Sequence, residues 1–202
     1  LWLSQLTQGD EHFRSALSHL GWSIPSSPLR LTIGIIAHIF IQAAHRTLPG
    51  YFIGRLEKEK EIVQEAYSAY EHIVTRSAVE SDTLVSSYCG LRSLNLAEAA
   101  RVCPLMDRAY ATTAFMFGTI PIHSLAVYYL NRANKFIQLE YTANSKMWVS
   151  LLNCYYSFGL GDFESSEEYN TLAADLAGEL GKHWEKEHAW IVQLEIALLR
   201  GQ

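Results

Sequence analysis

Histidines are the residues of this sequence with the widest chemical scope, and two groups of them stand out. His38 and His45 lie seven residues apart on one face of a predicted helix, and the segment KHWEKEH, 182–188, combines two histidines with glutamates. A zinc site needs three or four ligands, and neither group has a second cluster at compatible spacing. We therefore expect no metal and no other cofactor. KHWEKEH has the mixed charge of a solvated helix start, and His38 and His45 are typical of hydrogen-bonded core or interface residues.

Other constellations that support catalysis are incomplete. A phosphate-binding loop needs a lysine followed by a hydroxyl residue, which GELGKHW, 178–184, lacks; this segment fits a helix C-cap. A nucleophile needs a base and an orienting group, whereas Cys89, Cys103 and Cys154 fall within or beside predicted helices as small core residues. The carboxylates of EKEKE, 57–61, alternate with lysines as on a solvated face. We predict no catalytic residue and no enzyme activity in this segment.

Composition narrows the class of protein. The 202 residues are 49% hydrophobic and 18% charged, which is enough apolar material for a substantial core. The net charge of -5 argues against a nucleic-acid partner, because such proteins usually present a basic face. The three cysteines are far apart and odd in number, a pattern that favours reduced thiols over a disulfide framework. We expect a cytoplasmic protein.

One apolar segment, LTIGIIAHIFIQAA at 31–44, raises the question of a membrane span. Its longest uninterrupted apolar run covers only 33–37, whereas a spanning helix needs about 20 predominantly apolar residues. We expect a buried helix here and no membrane span. The sequence starts at Leu1 without a methionine and stops inside a helical pattern at LLRGQ, so we also expect a fragment of a longer polypeptide.

Apolar residues recur at helical spacing along the chain, with short Gly, Pro, Asp or Ser signals between the stretches. The pattern predicts an all-α protein, and the brief connections make consecutive helices antiparallel neighbours. Asp162 is placed to cap a helix with its carboxylate, and Gly181 is placed to close that helix in a left-handed conformation. The predicted helices span 10–20, 28–47, 56–78, 82–101, 104–118, 122–140, 144–158, 163–180 and 183–200.

Small residues recur seven apart, which is two turns along one helix face, in the segment LAVYYLNRA at 125–133. Shifts of forty residues in both directions land on further small residues, and such positions let a neighbouring helix approach closely. The structural repeat positions are Ser86, Ser93, Ala126, Ala133, Ser166 and Ala173. The pattern favours helix-pair repeats with a period near forty. An ordinary helical bundle is the alternative, because small residues are common in helices.

This spacing resembles the tetratricopeptide (TPR) repeat, whose second helix carries small residues seven apart with a bulky residue three positions before the second. Leu130 occupies that place before Ala133, and Phe13 occupies it before Ala16. The period near forty exceeds the usual 34 residues, and the tryptophan, leucine-glycine and tyrosine motif of the first TPR helix is not legible. The resemblance implies an all-α superhelical array of antiparallel helix pairs, a TPR-like α-solenoid that forms a single unit over 1–202.

A closer resemblance covers most of the chain. The segments FRSALSHLGWSIPSSPLRL, QAAHRTLP, CGLRSLNLAEAA and LAVYYLNRA resemble the C-terminal helical region of large signalling ATPases. In that family a STAND-type or AAA-like ATPase module precedes TPR-like repeats, nucleotide cyclase or protein kinase domains often stand upstream, and soluble adenylyl cyclases have a related layout. These motifs are packing motifs, and within QAAHRTLP the His45–Arg46 pair is expected to anchor a helix end, where positive charge suits the dipole.

The resemblance implies a non-catalytic segment for protein–protein interaction or regulation within a larger signalling ATPase or cyclase-type protein. Its partner would be another protein or a neighbouring domain of the same chain. The alternative is a sensory helical-repeat module that binds a small molecule or peptide in its groove. An enclosed, partly polar cavity on the order of a few hundred cubic ångströms would favour that alternative.

Overall fold

The computed structural model describes residues 2–120, 122–139 and 142–201, and every regular element in these ranges is a helix. The protein is all-α, as the helical spacing of its apolar residues predicts. In chain order the α-helices of the described residues are α1 (Trp2–His19), α2 (Pro28–Thr47), α3 (Pro49–Phe52), α4 (Lys60–Val79), α5 (Thr83–Ala100), α6 (Cys103–Thr119), α7 (His123–Leu139), α8 (Ala143–Gly159), α9 (Phe163–Glu179) and α10 (His183–Leu199).

Two parts of the predicted helix pattern differ from the structure. The first helix starts at Trp2 and not near residue 10. The predicted helix 56–78 is a 3-10 turn, Glu57–Glu59, followed by α4, and the short α3 precedes that turn. The physical reasons are local. Pro49 cannot continue α2 and starts α3 instead. Residues 57–59 supply no apolar side chain that could hold an earlier turn of α4 against the core.

From α5 onward the helices begin at residues 83, 103, 123, 143, 163 and 183, which are twenty residues apart. Five left-handed residues each follow the end of a helix, at positions separated by multiples of twenty residues. These residues are Ser81, Arg101, Gly161, Gly181 and Gly201, with φ of 59°, 49°, 76°, 65° and 72°. The conformation predicted for Gly181 is therefore confirmed, and it also occurs at two positions that lack glycine. Ser81 and Arg101 adopt a left-handed backbone despite its steric cost, and their helices end in the same way as those closed by glycine.

Hydrogen bonds at the helix ends explain how this interval is maintained. The amide of Lys182 donates to the carbonyl of Ala177 at 2.8 Å, and the amide of Val102 donates to that of Ala97 at 3.0 Å, the bond that closes a Schellman motif. Asp162 caps α9 as predicted, because its Oδ1 accepts from the backbone amide of Ser165 at 3.1 Å.

Contacts divide the chain into two compact units, Leu1–Leu105 and Met106–Gln202. In the first unit α4 packs against α1 and α5, and α5 also packs against α2. In the second unit α9 packs against α8 and α10. The single repeat unit predicted over 1–202 stays a prediction.

Candidate interaction surface

Helix α2 turns polar side chains inward and large apolar side chains outward. Its buried residues are Leu31 and three polar residues, His38, Gln42 and His45. Four large apolar side chains on the opposite side are between 49% and 72% exposed, and we call them the α2 outer face. They are Leu29, Ile33, Ile36 and Phe40. Their spacing of four, three and four residues places them in one stripe along the helix.

Glu98 of α5 is the charged centre of the polar network beneath α2. Its side chain is fully buried, and its Oε2 accepts hydrogen bonds from Gln42 Nε2 at 2.8 Å and from His45 Nδ1 at 2.7 Å. Its Oε1 accepts from the guanidinium of Arg46. Because a carboxylate offers only acceptors, the Nδ1 atom of His45 carries the proton in this contact. A buried charge persists only when it is paired and hydrogen-bonded in this way.

Asn95, one turn before Glu98, extends the network to His38. Its Oδ1 accepts from Gln42 Nε2 at 2.6 Å, so its amide nitrogen faces His38 and donates to both the backbone carbonyl and the Nδ1 of that residue at 3.2 Å. His38 Nδ1 is therefore an acceptor, which requires a neutral imidazole. Burial and the nearby charge of Arg92 lower the pKa of His38 to about 4, which keeps the ring uncharged at neutral pH.

His38 and His45 are thus hydrogen-bonded core residues, as their place on a largely apolar helix predicts. The sequence predicts that the His45–Arg46 pair anchors the end of α2, but the prediction does not include its partner, Glu98. The signal was present in the sequence, because Asn95 and Glu98 are polar residues three apart in the otherwise apolar run LNLAEAA. Such residues in a buried helix require partners on the helix that packs against it.

The network holds the α2 outer face toward solvent. Rotation of α2 about its axis would bury the apolar stripe, but it would also remove the hydrogen bonds that Gln42, His45 and Arg46 make to Glu98. Removal of one partner of a buried charge costs about 3–5 kcal/mol, and rotation would remove three partners of Glu98 at once. Covering four side chains that are half exposed or more would release roughly 4–7 kcal/mol before the cost of association. A contiguous apolar stripe of this kind marks an interaction site.

A cleft of about 240 Å³ opens beside the network in the first unit. Its walls combine apolar and charged side chains: Trp22, Ile41, Arg55, Leu56, Glu59, Arg92, Asn95, Leu96 and Ala99. The Nε of Arg92 is buried and has no hydrogen-bond partner among the described residues. A guanidinium in this position is suited to an anionic group.

All six predicted repeat positions are buried, with side chains at most 9% exposed. They lie on three alternate helices, α5, α7 and α9, at the fourth and eleventh helical residues of each. Ser166 shows the close helix approach that such positions permit, because its Oγ donates to the backbone carbonyl of Cys154 on α8 at 3.1 Å. Ser86 and Ser93 lie in the first unit, and the other four positions lie in the second unit.

The other residues considered for catalysis or metal binding include His188 and the cysteines. His188 pairs with the hydroxyl of Tyr155 at 3.1 Å, and burial lowers the pKa of this histidine. Cys89 and Cys154 are buried free thiols, and burial raises the pKa of Cys89 to about 12, which keeps the thiol protonated. The side chain of Cys103 lies outside the described residues. Of the two neighbouring tyrosines in LAVYYLNRA, Tyr128 is exposed whereas Tyr129 is buried.

Over the described ranges 2–120, 122–139 and 142–201, no group of three or more His, Cys, Asp or Glu side chains could hold a metal ion. Within the same ranges no helix has the length and apolar character needed to cross a membrane.

Comparison of the chain with protein-family models, with curated proteins and with solved structures finds no match. The described residues form an all-α chain whose later helices begin every twenty residues, and one of its helices has an apolar face exposed to solvent above a buried ionic network.

Proposed function

We propose that this chain is a non-catalytic protein–protein interaction or regulatory scaffold segment of a larger signalling ATPase or cyclase-type protein. Its helices would form a TPR-like superhelical array of antiparallel pairs. The single observation that carries the proposal is the reversed arrangement of α2, with a polar inner face and an apolar outer face. The twenty-residue interval between helix starts supports the repeat architecture.

The mechanism is non-covalent docking on a prepared surface. Glu98 fixes α2 through residues 42, 45 and 46, so the apolar stripe is held in one orientation before a partner arrives. A surface organised in advance loses little conformational entropy on binding, and more of the apolar burial is realised as affinity. Phe40 is the expected anchor because it is the largest and, at 72%, the most exposed side chain of the stripe.

Site-specific photocrosslinking in cells tests this function. A benzophenone amino acid placed at Phe40 is expected to give a discrete adduct with one protein or one neighbouring domain. The matched control carries the same probe at Glu65, an exposed position on α4 of the same unit. If Ile33→Gln abolishes the adduct formed at position 40, the contact is assigned to the α2 outer face. The proposal fails if the two positions give the same adducts or if position 40 gives none.

The cleft beside Arg92 supports a second candidate, a sensory module that binds a small molecule. Arg92 and Arg55 would bind an anionic group, and Trp22 would contact an apolar portion of the ligand. The volume of about 240 Å³ is small for a ligand site, since ligand pockets usually measure about 300–1,000 Å³. For this reason we prefer protein–protein interaction to small-molecule sensing as the function. Calorimetric titration with benzoate and with inorganic phosphate tests the sensor, and saturable heat that Arg92→Gln removes and Arg30→Gln retains would support it.

A further inference from the structure

Helix α10 carries a second outward apolar surface, in the second unit of the chain. Four of its large side chains are between 51% and 66% exposed, and we call them the α10 outer face. They are Trp190, Ile191, Leu194 and Leu198. The opposite side of α10 is well packed, because Val192 and Ile196 join Cys154 of α8 in a buried cluster. The helix is therefore held by one face and leaves the other uncovered by the described residues.

The same face is covered on α8, forty residues earlier. The α8 residues at the corresponding positions are Ser150, Leu151, Cys154 and Phe158, of which the first three are buried and the fourth is half-buried. Helix α9 provides part of this cover. Ser166 Oγ lies 3.4 Å from the sulfur of Cys154, and the ring centroids of Phe158 and Phe163 are 5.9 Å apart.

The relation recurs eighty residues earlier, in the first unit. Val74 of α4 occupies the position of Cys154 and is buried in a cluster to which α5 contributes Val85 and Cys89. The pairs α4–α5 and α8–α9 are both in extensive contact. Two helices at this place in the repeat, α4 and α8, are thus each covered by the helix that follows, and α10 lies at the same place.

We propose that the α10 outer face is the docking site of a further helix of the same polypeptide, which follows α10 as α9 follows α8. The chemistry of its partner can be read from α9, which presents Ser166 and Ala173, small residues seven apart, as part of its buried side. Leu194 is larger than Cys154, so the docking helix needs a small residue opposite it. This inference rests on the repeat architecture within the proposed function, but it concerns a different surface and does not depend on docking at the α2 outer face.

A second copy of the chain fits this surface less well. The α10 outer face consists of bulky residues, so two such faces would meet without the small residues that let helix axes approach closely. A helix with the pattern of α9 supplies those small residues and leaves room for Leu194 and Leu198.

The test adds a further helix after residue 202 of the chain. Gln202 takes the position of the capping Asp162, so the extended protein carries Gln202→Asp followed by a copy of residues 163–181. Acrylamide quenching of Trp190, obtained as the difference from the matching Trp190→Phe protein, reports the cover of α10. We expect the quenching constant of Trp190 to fall about threefold or more, because its exposed fraction drops from 56% to that of a buried residue. Circular dichroism should show about one added helix of the length of α9, 17 residues.

A matched extension carries leucine in place of the two small residues copied from Ser166 and Ala173, and it should not protect Trp190. The inference is overturned if the first extension leaves Trp190 accessible, if it adds no helix, or if the leucine version protects equally well. Light scattering of the unextended chain gives an independent check. A dimer that already shields Trp190 and dissociates with Leu194→Glu would assign this face to a second copy and would contradict the proposal.

Discussion

Replacement of Glu98 by glutamine tests whether the buried network holds α2 in place. The carboxylate accepts from Gln42, His45 and Arg46, so three donors converge on it. A glutamine amide keeps one acceptor but turns an NH₂ group toward donors that have lost their partner. Removal of one charged partner from a buried ion pair costs about 3–5 kcal/mol. This is a large share of the total free energy of unfolding of a typical protein, about 5–15 kcal/mol. We expect Glu98→Gln to lower the free energy of unfolding by this amount.

Urea denaturation and thermal unfolding by circular dichroism measure the effect. At roughly 2–4 °C per kcal/mol for a chain of this length, the midpoint of the affected transition should fall by about 6–20 °C. The matched control is Glu65→Gln, the same change at an exposed position of the first unit, which should stay within about 0.5 kcal/mol of the parent. Equal stability of the two variants would refute the view that Glu98 organises the network.

Three further outcomes are expected. Ala133→Leu should destabilise by about 1–3 kcal/mol, because the alanine is fully buried and has no room for a larger side chain; an unchanged denaturation midpoint would argue against its place in a close helix contact. The pKa of His38, about 4 in the folded state, lies below its ordinary 6.5, so the unfolded chain binds more protons between these two values. Lowering the pH through this window should therefore reduce the free energy of unfolding by up to about 1.4 kcal/mol per pH unit. Urea titrations from pH 7 to pH 4.5 should show this slope, and His38→Asn should lack the share due to His38. Asp162→Ala should destabilise α9 more than Asp162→Asn, since only alanine loses the cap to Ser165; hydrogen exchange in the first turn of α9 would show equal protection if the cap were unimportant.

Most of the helices could be predicted from local sequence patterns. Helical spacing of apolar residues and the turn signals Asp162 and Gly181 gave the helix content and most helix ends, because these features depend on residues close together in the sequence. The helix ends at Ser81 and Arg101 could not be read in this way, since neither residue favours a left-handed backbone and the cap is enforced by the packed helices.

The candidate surface was harder to predict, because it depends on pairing between helices distant in sequence. His38 and His45 were expected in a core or interface, yet the pairing of α2 with α5 through Glu98 is a contact across more than fifty residues. The segment 31–44 was expected to be a buried helix. Only one side of it is buried, and periodicity alone cannot tell which side of a helix rich in apolar residues faces the core.

Hydroxyl-radical footprinting of Phe40 measures whether a partner covers the α2 outer face. In the purified chain Phe40 should react rapidly, as a side chain 72% exposed requires. In the assembly isolated from cells its reactivity should fall several-fold, while Leu160, an exposed residue of the second unit, should react as before. If Phe40 remains as reactive in the native assembly as it is in the purified chain, no partner docks on the α2 outer face.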